Sequence, residues 1–324
     1  MRAALAVAQN PSDPLSCLVL RDDVPQPEPR EGWVRIQVKA SSVNMHDLWT
    51  LRGVGHDPKN IPIILGCDVA GVTAEGREVV VHPVIGDPEA GGGDETLDPE
   101  RALLSEQHDG GFAEYILVPE RCVLDKPASL TFEEAACLPV AWSTAYRMLF
   151  TRAELQPGQK VLVQGAGGGV ASAAISLAAA AGLTVYATSR SAENRQLALD
   201  LGATGAFDSG ERLPERVDAV IETVGEATWG HSLRCLKPGG VIVIAGATSG
   251  TSPEADLGRI FYQQLRIVGS TGSTREETSG MLDMVERHRL KPQVDRILPL
   301  ERIHEGFQAM IDGGLSGKVV ITMG

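Results

Sequence analysis

The stretch Lys160–Arg190 constrains the fold of this chain more than any other. It reads KVLVQGAGGGVASAAISLAAAAGLTVYATSR. A short apolar run comes first, then clustered glycines, an alanine-rich segment of helix length, and a second apolar run over Leu183–Thr188. This order predicts a strand, a tight turn, a helix and a second strand parallel to the first.

The glycines indicate what the turn binds. They let the backbone bend sharply and approach an anion, to which the start of the following helix offers unpaired N–H groups. Glycine clusters also mark ordinary turns, but a position between a strand and a helix favours a dinucleotide pyrophosphate. We therefore predict a cofactor-binding loop formed by Gly165, Ala166, Gly167, Gly168, Gly169 and Val170.

The end of the second strand selects between cofactors. NAD sites place an acid there for the ribose hydroxyls. This chain instead has Ser189 and Arg190, with Arg195 one helical turn further on. Because a guanidinium donates two hydrogen bonds to a phosphate, these residues predict binding of NADP(H) through its 2′-phosphate. The alternative is that both arginines are solvated surface residues.

Charge and cysteine usage narrow the possible partners. The net charge is −13 and the pI is near 5.0, which argues against binding to nucleic acid or an anionic membrane. The five cysteines are scattered without a CxxC pair, so neither a disulfide framework nor a structural zinc site is indicated. No signal peptide or membrane span is evident. We expect a cytoplasmic protein with a small-molecule partner.

The pattern along 324 residues predicts two domains. Residues 1–85 resemble a β domain with little helix, and residues 83–111 an acidic, solvated surface lobe. Residues 160–269 alternate strands and helices, which predicts a doubly wound parallel sheet. The pieces after Thr271 are too few for a domain of their own. We predict a discontinuous domain, 1–123 plus 272–324, and a cofactor domain, 124–271.

Motifs along the whole chain resemble the medium-chain dehydrogenase/reductase superfamily, and within it the zinc-independent, quinone-oxidoreductase-like members. They are Ser42–Asp47 (SVNMHD), Leu65–Gly71 (LGCDVAG), Gly110–Tyr115 (GGFAEY), Ala141–Tyr146 (AWSTAY), the glycine loop, Leu201–Ala203 (LGA), Leu236–Gly240 (LKPGG) and Gly317–Val320 (GKVV). The resemblance implies an α/β fold: a GroES-like, β-rich catalytic domain joined to a Rossmann doubly wound parallel sheet.

The departures from this family concern zinc. Zinc-dependent members have a Cys where this chain has Asn44, a His where it has Cys67, and a third ligand where it has Val140. One possible soft ligand cannot form the three-ligand catalytic site. The lobe of residues 87–109 lacks the four structural cysteines of those relatives. The resemblance therefore implies that both zinc ions are absent.

The resemblance also implies catalytic roles. Asn44 would donate to the nicotinamide ribose or the substrate carbonyl, His46 would relay protons, and Asp47 would orient its neighbours. The alternative for His46 is a surface or hydrogen-bonded loop histidine. His56 aligns near a substrate-pocket residue with the same alternative, and Trp49 would line a pocket or pack in the core.

Further cofactor contacts follow from the same resemblance. Thr144 would meet the nicotinamide amide, and Lys318 the pyrophosphate, with an exposed lysine as the alternative. The remaining contacts would come from Ala245, Gly246, Ala247, Thr248, Ser270 and Thr271. Relatives pair through the last strand of the cofactor sheet, here Leu265–Gly269, which implies a homodimer or a tetramer.

Without a Lewis-acid metal, oxidation of a simple alcohol is poorly supported. Reduction of a C=C bond conjugated to a carbonyl needs only hydride, orientation and hydrogen-bond donors for the enolate oxygen. We therefore expect an NADPH-dependent, zinc-free oxidoreductase that reduces quinones, enones or related activated alkenes. The alternatives are an alcohol dehydrogenase or carbonyl reductase, and a non-catalytic NADPH-binding sensor or structural protein.

Overall fold

The computed structural model describes all residues from Met1 to Gly324. The helices, numbered along the chain, are α1 (Met45–Arg52), α2 (Phe132–Ala135), α3 (Ser143–Tyr146), α4 (Gly169–Ala180), α5 (Ala192–Asp200), α6 (Glu226–Cys235), α7 (Leu257–Tyr262), α8 (Arg275–His288) and α9 (Ile303–Asp312). Two π-helical turns flank α3, at Leu138–Trp142 and Arg147–Arg152. Short 3-10 turns cover Pro14–Cys17, Pro58–Asn60, Glu95–Leu97, Glu120–Cys122 and Leu300–Arg302.

The strands are numbered in the same way. They are β1 (Ala3–Ala6), β2 (Leu18–Arg21), β3 (Trp33–Ser42), β4 (Ile63–Ile64), β5 (Ala70–Thr73), β6 (Glu78–Val81), β7 (Val84–Ile85), β8 (Ala102–Leu103), β9 (Tyr115–Pro119), β10 (Val123–Asp125), β11 (Lys160–Gln164), β12 (Thr184–Thr188), β13 (Gly205–Phe207), β14 (Val217–Glu222), β15 (Leu236–Ile244), β16 (Arg266–Gly269), β17 (Val294–Pro299) and β18 (Lys318–Thr322).

The chain divides into two compact units. The first unit is discontinuous and comprises Met1–Val140 and Ser273–Gly324, and the second comprises Ala141–Gly272. The first boundary therefore lies at Val140 and not at residue 123. The physical reason is that the short helix α2 packs on β3, β5 and β18 of the first unit.

The first unit is built around a seven-stranded sheet. Its order is β10-β6-β5-β3-β18-β17, and β9 pairs with β3 beside this path. The long strand β3 pairs with β9 near its start and with β18 at its end, where Ser42 lies opposite Val320. This register brings the end of β3 next to the start of the last strand, which carries Lys318 at its first position.

Helix α1 follows directly after β3. Asp47 closes its first turn, because the Asn44 N–H donates to Asp47 Oδ2 at 2.9 Å, and the helix ends at Gly53 in the left-handed conformation, φ 75°. The sequence pattern predicted little helix here. The buried positions mix Asp47 and Thr50 with leucines, so α1 lacks the apolar stripe by which a helix is recognised in a sequence.

The acidic lobe is less solvated than the sequence predicts. Glu95 and Asp98 are both buried, and Leu104 belongs to the apolar core of the first unit. Two short strands, β7 and β8, pair within this lobe. Folding thus brings part of the lobe's acids into the protein.

The second unit contains the predicted doubly wound parallel sheet. All six strands are parallel, in the order β13-β12-β11-β14-β15-β16. Helix α4 lies against β11 and β12, and three of its alanines, Ala173, Ala174 and Ala178, are fully buried. Small side chains let the helix approach the sheet closely, which explains the alanine-rich sequence. None of the helices in the protein combines the length and apolar composition needed to cross a bilayer.

Candidate functional site

The predicted cofactor segments of the second unit follow the carboxyl ends of its parallel strands. The glycine loop follows β11, Ser189 and Arg190 follow β12, Ala245–Thr248 follows β15, and Ser270 follows β16. The carboxyl ends of parallel strands share one edge of a sheet, where doubly wound folds bind their ligands. The topology therefore places these segments along the same edge.

The glycine loop is shaped for a close backbone approach. Gly165 has φ +74°, and a Cβ on Gly167 would lie 2.2 Å from Asn194 Nδ2. Gly168 precedes α4 as its N-cap and a Cβ there would meet little. The first N–H groups of the twelve-residue helix lack intrahelical partners and carry the positive end of its dipole. This arrangement fits a pyrophosphate.

The end of β12 presents two guanidinium groups. Arg195 Nη1 donates to the Ser189 carbonyl at 2.8 Å and lies 3.6 Å from Asp208 Oδ1. Arg190 is exposed, with no hydrogen bond or ion pair within the protein. The nearest acid in sequence, Glu193, accepts a hydrogen bond from Ser191 Oγ at 2.5 Å. Arg190 is thus available to a ligand. Arg195 is hydrogen-bonded to Ser189, the residue that precedes Arg190.

Two further predicted contacts have buried hydroxyls. Ser270 Oγ is buried without a hydrogen-bond partner, although the Ser270 N–H is bonded to the Ile244 carbonyl at 2.8 Å. Thr144 lies on α3, which packs on α4, and is nearly buried. An unpartnered buried hydroxyl beside a ligand-binding edge indicates a place that a ligand completes. Together with the glycine loop, these residues fit a dinucleotide.

A buried ammonium lies among the predicted catalytic residues of the first unit. Lys318 is 6% exposed, so the alternative of an exposed lysine is wrong. Its Nζ donates to Asn44 Oδ1 at 2.5 Å and to the Val43 carbonyl at 3.0 Å, and lies 3.3 Å from Asp68 Oδ2. Three ammonium hydrogens thus face three oxygens. Lys318 could contact a phosphate only if a phosphate oxygen replaced one of these three oxygens.

The amide of Asn44 is engaged on both sides. Its Nδ2 donates to Asp68 Oδ2 at 2.7 Å and to the Ser42 carbonyl at 3.2 Å, while Lys318 occupies its oxygen. The longer bond, to Ser42, is the one that a ligand would replace. Asp68 also accepts the Val140 N–H at 2.8 Å and the Ser42 hydroxyl at 2.5 Å. The sequence motif around Cys67 contained Asp68 but did not indicate this role.

Asp47 holds two backbone segments together. It is fully buried, with Oδ1 accepting the Gly66 N–H and Oδ2 the Asn44 N–H, each at 2.9 Å. Burial raises the pKa of Asp47 to about 7, although these two N–H donors oppose the shift. Both oxygens of Asp47 therefore accept backbone hydrogen bonds, and its role in orienting neighbouring groups stays a prediction.

Two imidazoles and a carboxylate lie close together beside α1. His46 Nε2 is 3.8 Å from Glu106 Oε1, and Nε2 of both His46 and His56 is buried without a hydrogen-bond partner. Burial, and then the neighbouring His56, lower the pKa of His46 to about 4, so its imidazole is neutral at pH 7. His46 lies on α1 and its Nε2 has no hydrogen bond, and its role as a proton relay stays a prediction. The sequence did not point to Glu106.

The three positions that correspond to zinc ligands do not fit a zinc ion. The Asn44 amide is engaged as above, and Val140 presents a hydrocarbon side chain. Cys67 is fully buried, and burial raises the pKa of its thiol well above its ordinary value, whereas zinc binds the thiolate. Elsewhere in the protein, no group of three or more His, Cys, Asp and Glu side chains is placed to hold a metal ion.

Comparison with known proteins agrees with this architecture. Residues 30–128 match the alcohol dehydrogenase GroES-like domain, and residues 169–287 match the zinc-binding dehydrogenase domain. A zinc-type alcohol dehydrogenase-like protein of Schizosaccharomyces pombe is 32% identical, over 93% of each chain. Acryloyl-coenzyme A reductase of Metallosphaera sedula is 31% identical, over 93% of this chain and 95% of its own. Human quinone oxidoreductase is 29% identical, over 94% of both.

Solved structures show the same fold. A structure described as an NAD-dependent alcohol dehydrogenase superposes with a TM-score of 0.92 at 33% identity, covering all of both chains. The 2-octenoyl-CoA carboxylase reductase CinF, in complex with NADP and 2-octenoyl-CoA, superposes with a TM-score of 0.89 at 26% identity, covering 99% of this chain and 87% of CinF. The chain therefore belongs to the medium-chain dehydrogenase/reductase superfamily and is an oxidoreductase of that family.

Proposed function

We propose that this protein is an NADPH-dependent reductase of quinones, enones or related activated C=C bonds, and that it works without zinc. One observation carries the zinc-free part: the Lys318 ammonium lies 2.5 Å from Asn44 Oδ1. A zinc ion bound at the Asn44 position would lie beside this buried positive charge, and like charges at such distances repel strongly in a buried site.

The choice of NADPH rests on Arg190 and Arg195. Both follow β12, where an NAD site has an acid, and the Arg190 side chain is unengaged. The relative CinF was solved with NADP. When bound, the cofactor supplies a hydride to the substrate. The glycine loop would hold its pyrophosphate, and Ser270 and Thr144 would contact its nicotinamide end.

The first unit would supply position and hydrogen-bond donors. In the proposed reaction, negative charge develops on the carbonyl oxygen of the substrate as hydride arrives at the β carbon, and a donor there lowers the barrier. Asn44 is the proposed donor, through the amide hydrogen now bonded to the Ser42 carbonyl. Lys318 withdraws electron density from the Asn44 oxygen, which strengthens the amide as a donor. His46 is proposed to move the proton, and Asp47 to fix the backbone that carries Asn44.

The substrate class has support from the relatives. Acryloyl-CoA and 2-octenoyl-CoA, named in two of them, are both conjugated C=C compounds, and a third is called quinone oxidoreductase. The second candidate is an alcohol dehydrogenase or carbonyl reductase, which the name of the Schizosaccharomyces relative and the description of the NAD-dependent structure favour. The third candidate is a protein that binds NADPH but catalyses no reaction.

Deuterium transfer distinguishes these candidates. The protein would be incubated with NADPH deuterated at C4 and 3-penten-2-one, whose C=C and C=O bonds can each accept hydride. Mass spectrometry and NMR of the product then locate the label. Deuterium at the β carbon of the saturated ketone supports the proposal, deuterium on a carbinol carbon indicates a carbonyl reductase, and saturable NADPH binding without labelled product indicates a non-catalytic protein.

We also propose a homodimer, or a tetramer, joined through the outer edge of β16. This strand ends the sheet of the second unit. Ile267 in it is 40% exposed, and on α7 Phe261 and Tyr262 are 74% and 77% exposed. An unpaired edge with adjacent apolar side chains favours pairing with a second copy. Light scattering that gives a strict monomer would reject this arrangement.

All five cysteines are free and buried, in accord with the cytoplasmic location proposed for this enzyme.

A further inference from the structure

Two buried imidazole nitrogens without hydrogen bonds lie near one carboxylate in the first unit. Nε2 of His46 and Nε2 of His56 are both in this state. Leaving a buried polar atom unpaired costs about 1–3 kcal/mol. Such atoms in a folded protein therefore call for an explanation, and a functional role is one.

Glu106 is the group that His46 faces. Its Oε1 lies 3.8 Å from His46 Nε2, and its Oε2 is held by the Leu103 N–H at 2.7 Å, so one oxygen is fixed and the other is free. The distance is too long for a hydrogen bond. Catalytic hydrogen bonds are often long in the absence of substrate and shorten in the complex.

Gln9 holds His56, the second imidazole of this cluster, in place. Gln9 Nε2 donates to the His56 carbonyl at 3.3 Å and lies 3.5 Å from His56 Nδ1. Among the charged groups around this cluster, Arg101 acts on Glu106 and Asp57 interacts with His56, while the His56 ring acts on both His46 and Glu106. Burial lowers the pKa of His46 and raises that of Glu106, so burial favours the neutral form of each group, an imidazole with one N–H and a carboxyl with one O–H.

We propose that Glu106 is the positioning residue for His46, and that this pair delivers the proton that completes reduction of an enone. This inference rests on the proposed function. Hydride from NADPH forms the new C–H bond at the β carbon, and the C=C electron pair moves to give an enolate. The imidazole then gives a proton from Nδ1 to the α carbon as Nε2 takes the proton of Glu106. Glu106, whose side chain is 30% exposed, regains a proton from water.

Quinones provide an internal control for this step. Hydride addition to a quinone leaves negative charge on oxygen, and oxygen is protonated by water without help. Turnover of 1,4-benzoquinone should therefore depend on the pair less than turnover of 3-penten-2-one does. The variants are Glu106→Gln, Glu106→Asp and His46→Gln, with Glu100→Gln as the matched control, because Glu100 is an exposed glutamate of the same lobe.

The expected loss follows from the size of general acid catalysis. His46→Gln should lower kcat for the enone by about 10²–10³-fold, and Glu106→Gln by about 10-fold or more. Glu106→Asp should recover part of the rate. In His46→Gln and Glu106→Gln, benzoquinone turnover should fall by a smaller factor than enone turnover, while the Kd for NADPH stays within about threefold of wild type; Glu100→Gln should match wild type throughout. In wild type, enone kcat should fall at high pH as the pair loses its proton, and Glu106→Gln should shift that limb.

The outcomes separate the two proposals. Equal losses for enone and quinone, or an enone rate within twofold of wild type in Glu106→Gln, would overturn the relay while leaving the reductase in place. Wild-type turnover of neither acceptor would overturn both. A readout that needs no turnover is the ¹⁵N spectrum of His46, which should change its tautomer balance in Glu106→Gln and not in Glu100→Gln. An unchanged spectrum would also contradict the relay.

Discussion

Lys318 Nζ lies 2.5 Å from Asn44 Oδ1, although 274 residues separate the two in the chain. The same ammonium is 3.3 Å from Asp68 Oδ2, and Asp68 accepts a hydrogen bond from the other side of the Asn44 amide. Asn44, Asp68 and Lys318 therefore form a closed, buried polar cluster. Of the three positions that correspond to ligands in zinc-dependent relatives, Asn44 lies in this cluster.

Removing the ammonium should strongly destabilise the first unit. In Lys318→Met the Asp68 carboxylate and the Asn44 oxygen lose a buried donor, and breaking a buried ion pair costs about 3–5 kcal/mol. Urea denaturation measures this loss. Lys59→Met is the control, because its side chain is 76% exposed and pairs only at the surface, and it should change stability by less than about 1 kcal/mol. Equal effects of the two substitutions would show that Lys318 is not an essential counterion.

Asp47→Asn should lower stability and change its pH dependence. An amide cannot accept from both Asn44 and Gly66 N–H groups, so one buried donor is left unpaired at a cost of about 1–3 kcal/mol.

The pKa of Asp47 is raised from 3.8 to about 7. Its contribution to wild-type stability is therefore full below pH 3.8 and declines as the pH rises toward 7. Urea titrations at pH 5 and pH 8 should show a larger difference between wild type and Asp47→Asn at pH 5. A larger difference at pH 8 would contradict this sign.

Arg190→Ala tests the cofactor assignment. Loss of a charge-assisted phosphate contact should raise the Kd for NADPH by about 10–100-fold, with almost no change for NADH, because NADH lacks the 2′-phosphate. Fluorescence titration measures both. Arg212→Ala removes an exposed arginine of the same unit and should leave both constants unchanged. An equal loss for both cofactors in Arg190→Ala would remove the basis for NADPH preference.

The Glu95 side chain should stabilise the lobe of residues 87–109 against unfolding in acid. Its Oε1 accepts the Arg275 N–H at 2.8 Å and lies 3.5 Å from His82 Nε2. Burial raises its pKa, but the neighbouring His82 imidazole and the hydrogen bond from the Arg275 N–H outweigh this and lower it to about 2.

The depressed pKa of Glu95 means that its stabilisation is present above about pH 4.5 and is lost as the pH falls toward 2. Glu95→Gln should lower the free energy of unfolding by about 1–3 kcal/mol at pH 7. As the pH decreases, its stability should fall less than that of wild type, which circular dichroism measures. Glu89→Gln, at an exposed lobe position, should do neither. If the stability of Glu95→Gln decreased in acid as much as that of wild type, this role of Glu95 would be refuted.

The second unit was predictable because its signals are local. The run from Lys160 to Arg190 contains strand, turn and helix in one stretch, and the later strands repeat the pattern. The capping box of Thr131 and Glu134 at the start of α2 is equally local. Such features depend on residues a few positions apart, so a sequence contains them directly.

The first unit was less predictable because its important contacts are distant in sequence. Helix α1 lacks an apolar stripe, and no local pattern relates Lys318 to Asn44 or Glu106 to His46. The burial of Glu95 depends on Arg275, 180 residues away. The family resemblance identified Asn44, His46 and Lys318 as residues of interest, but only the folded arrangement shows what each one contacts.

Steady-state NADPH oxidation by metal-depleted protein tests the central claim most directly. Protein treated with EDTA and verified as metal-free by elemental analysis would be assayed with 1,4-benzoquinone and 3-penten-2-one, each with NADPH and with NADH. We predict turnover that equals that of untreated protein and prefers NADPH. Activity that is lost on metal removal and restored by zinc, or an equal preference for NADH, would contradict the assignment of a zinc-free, NADPH-dependent reductase.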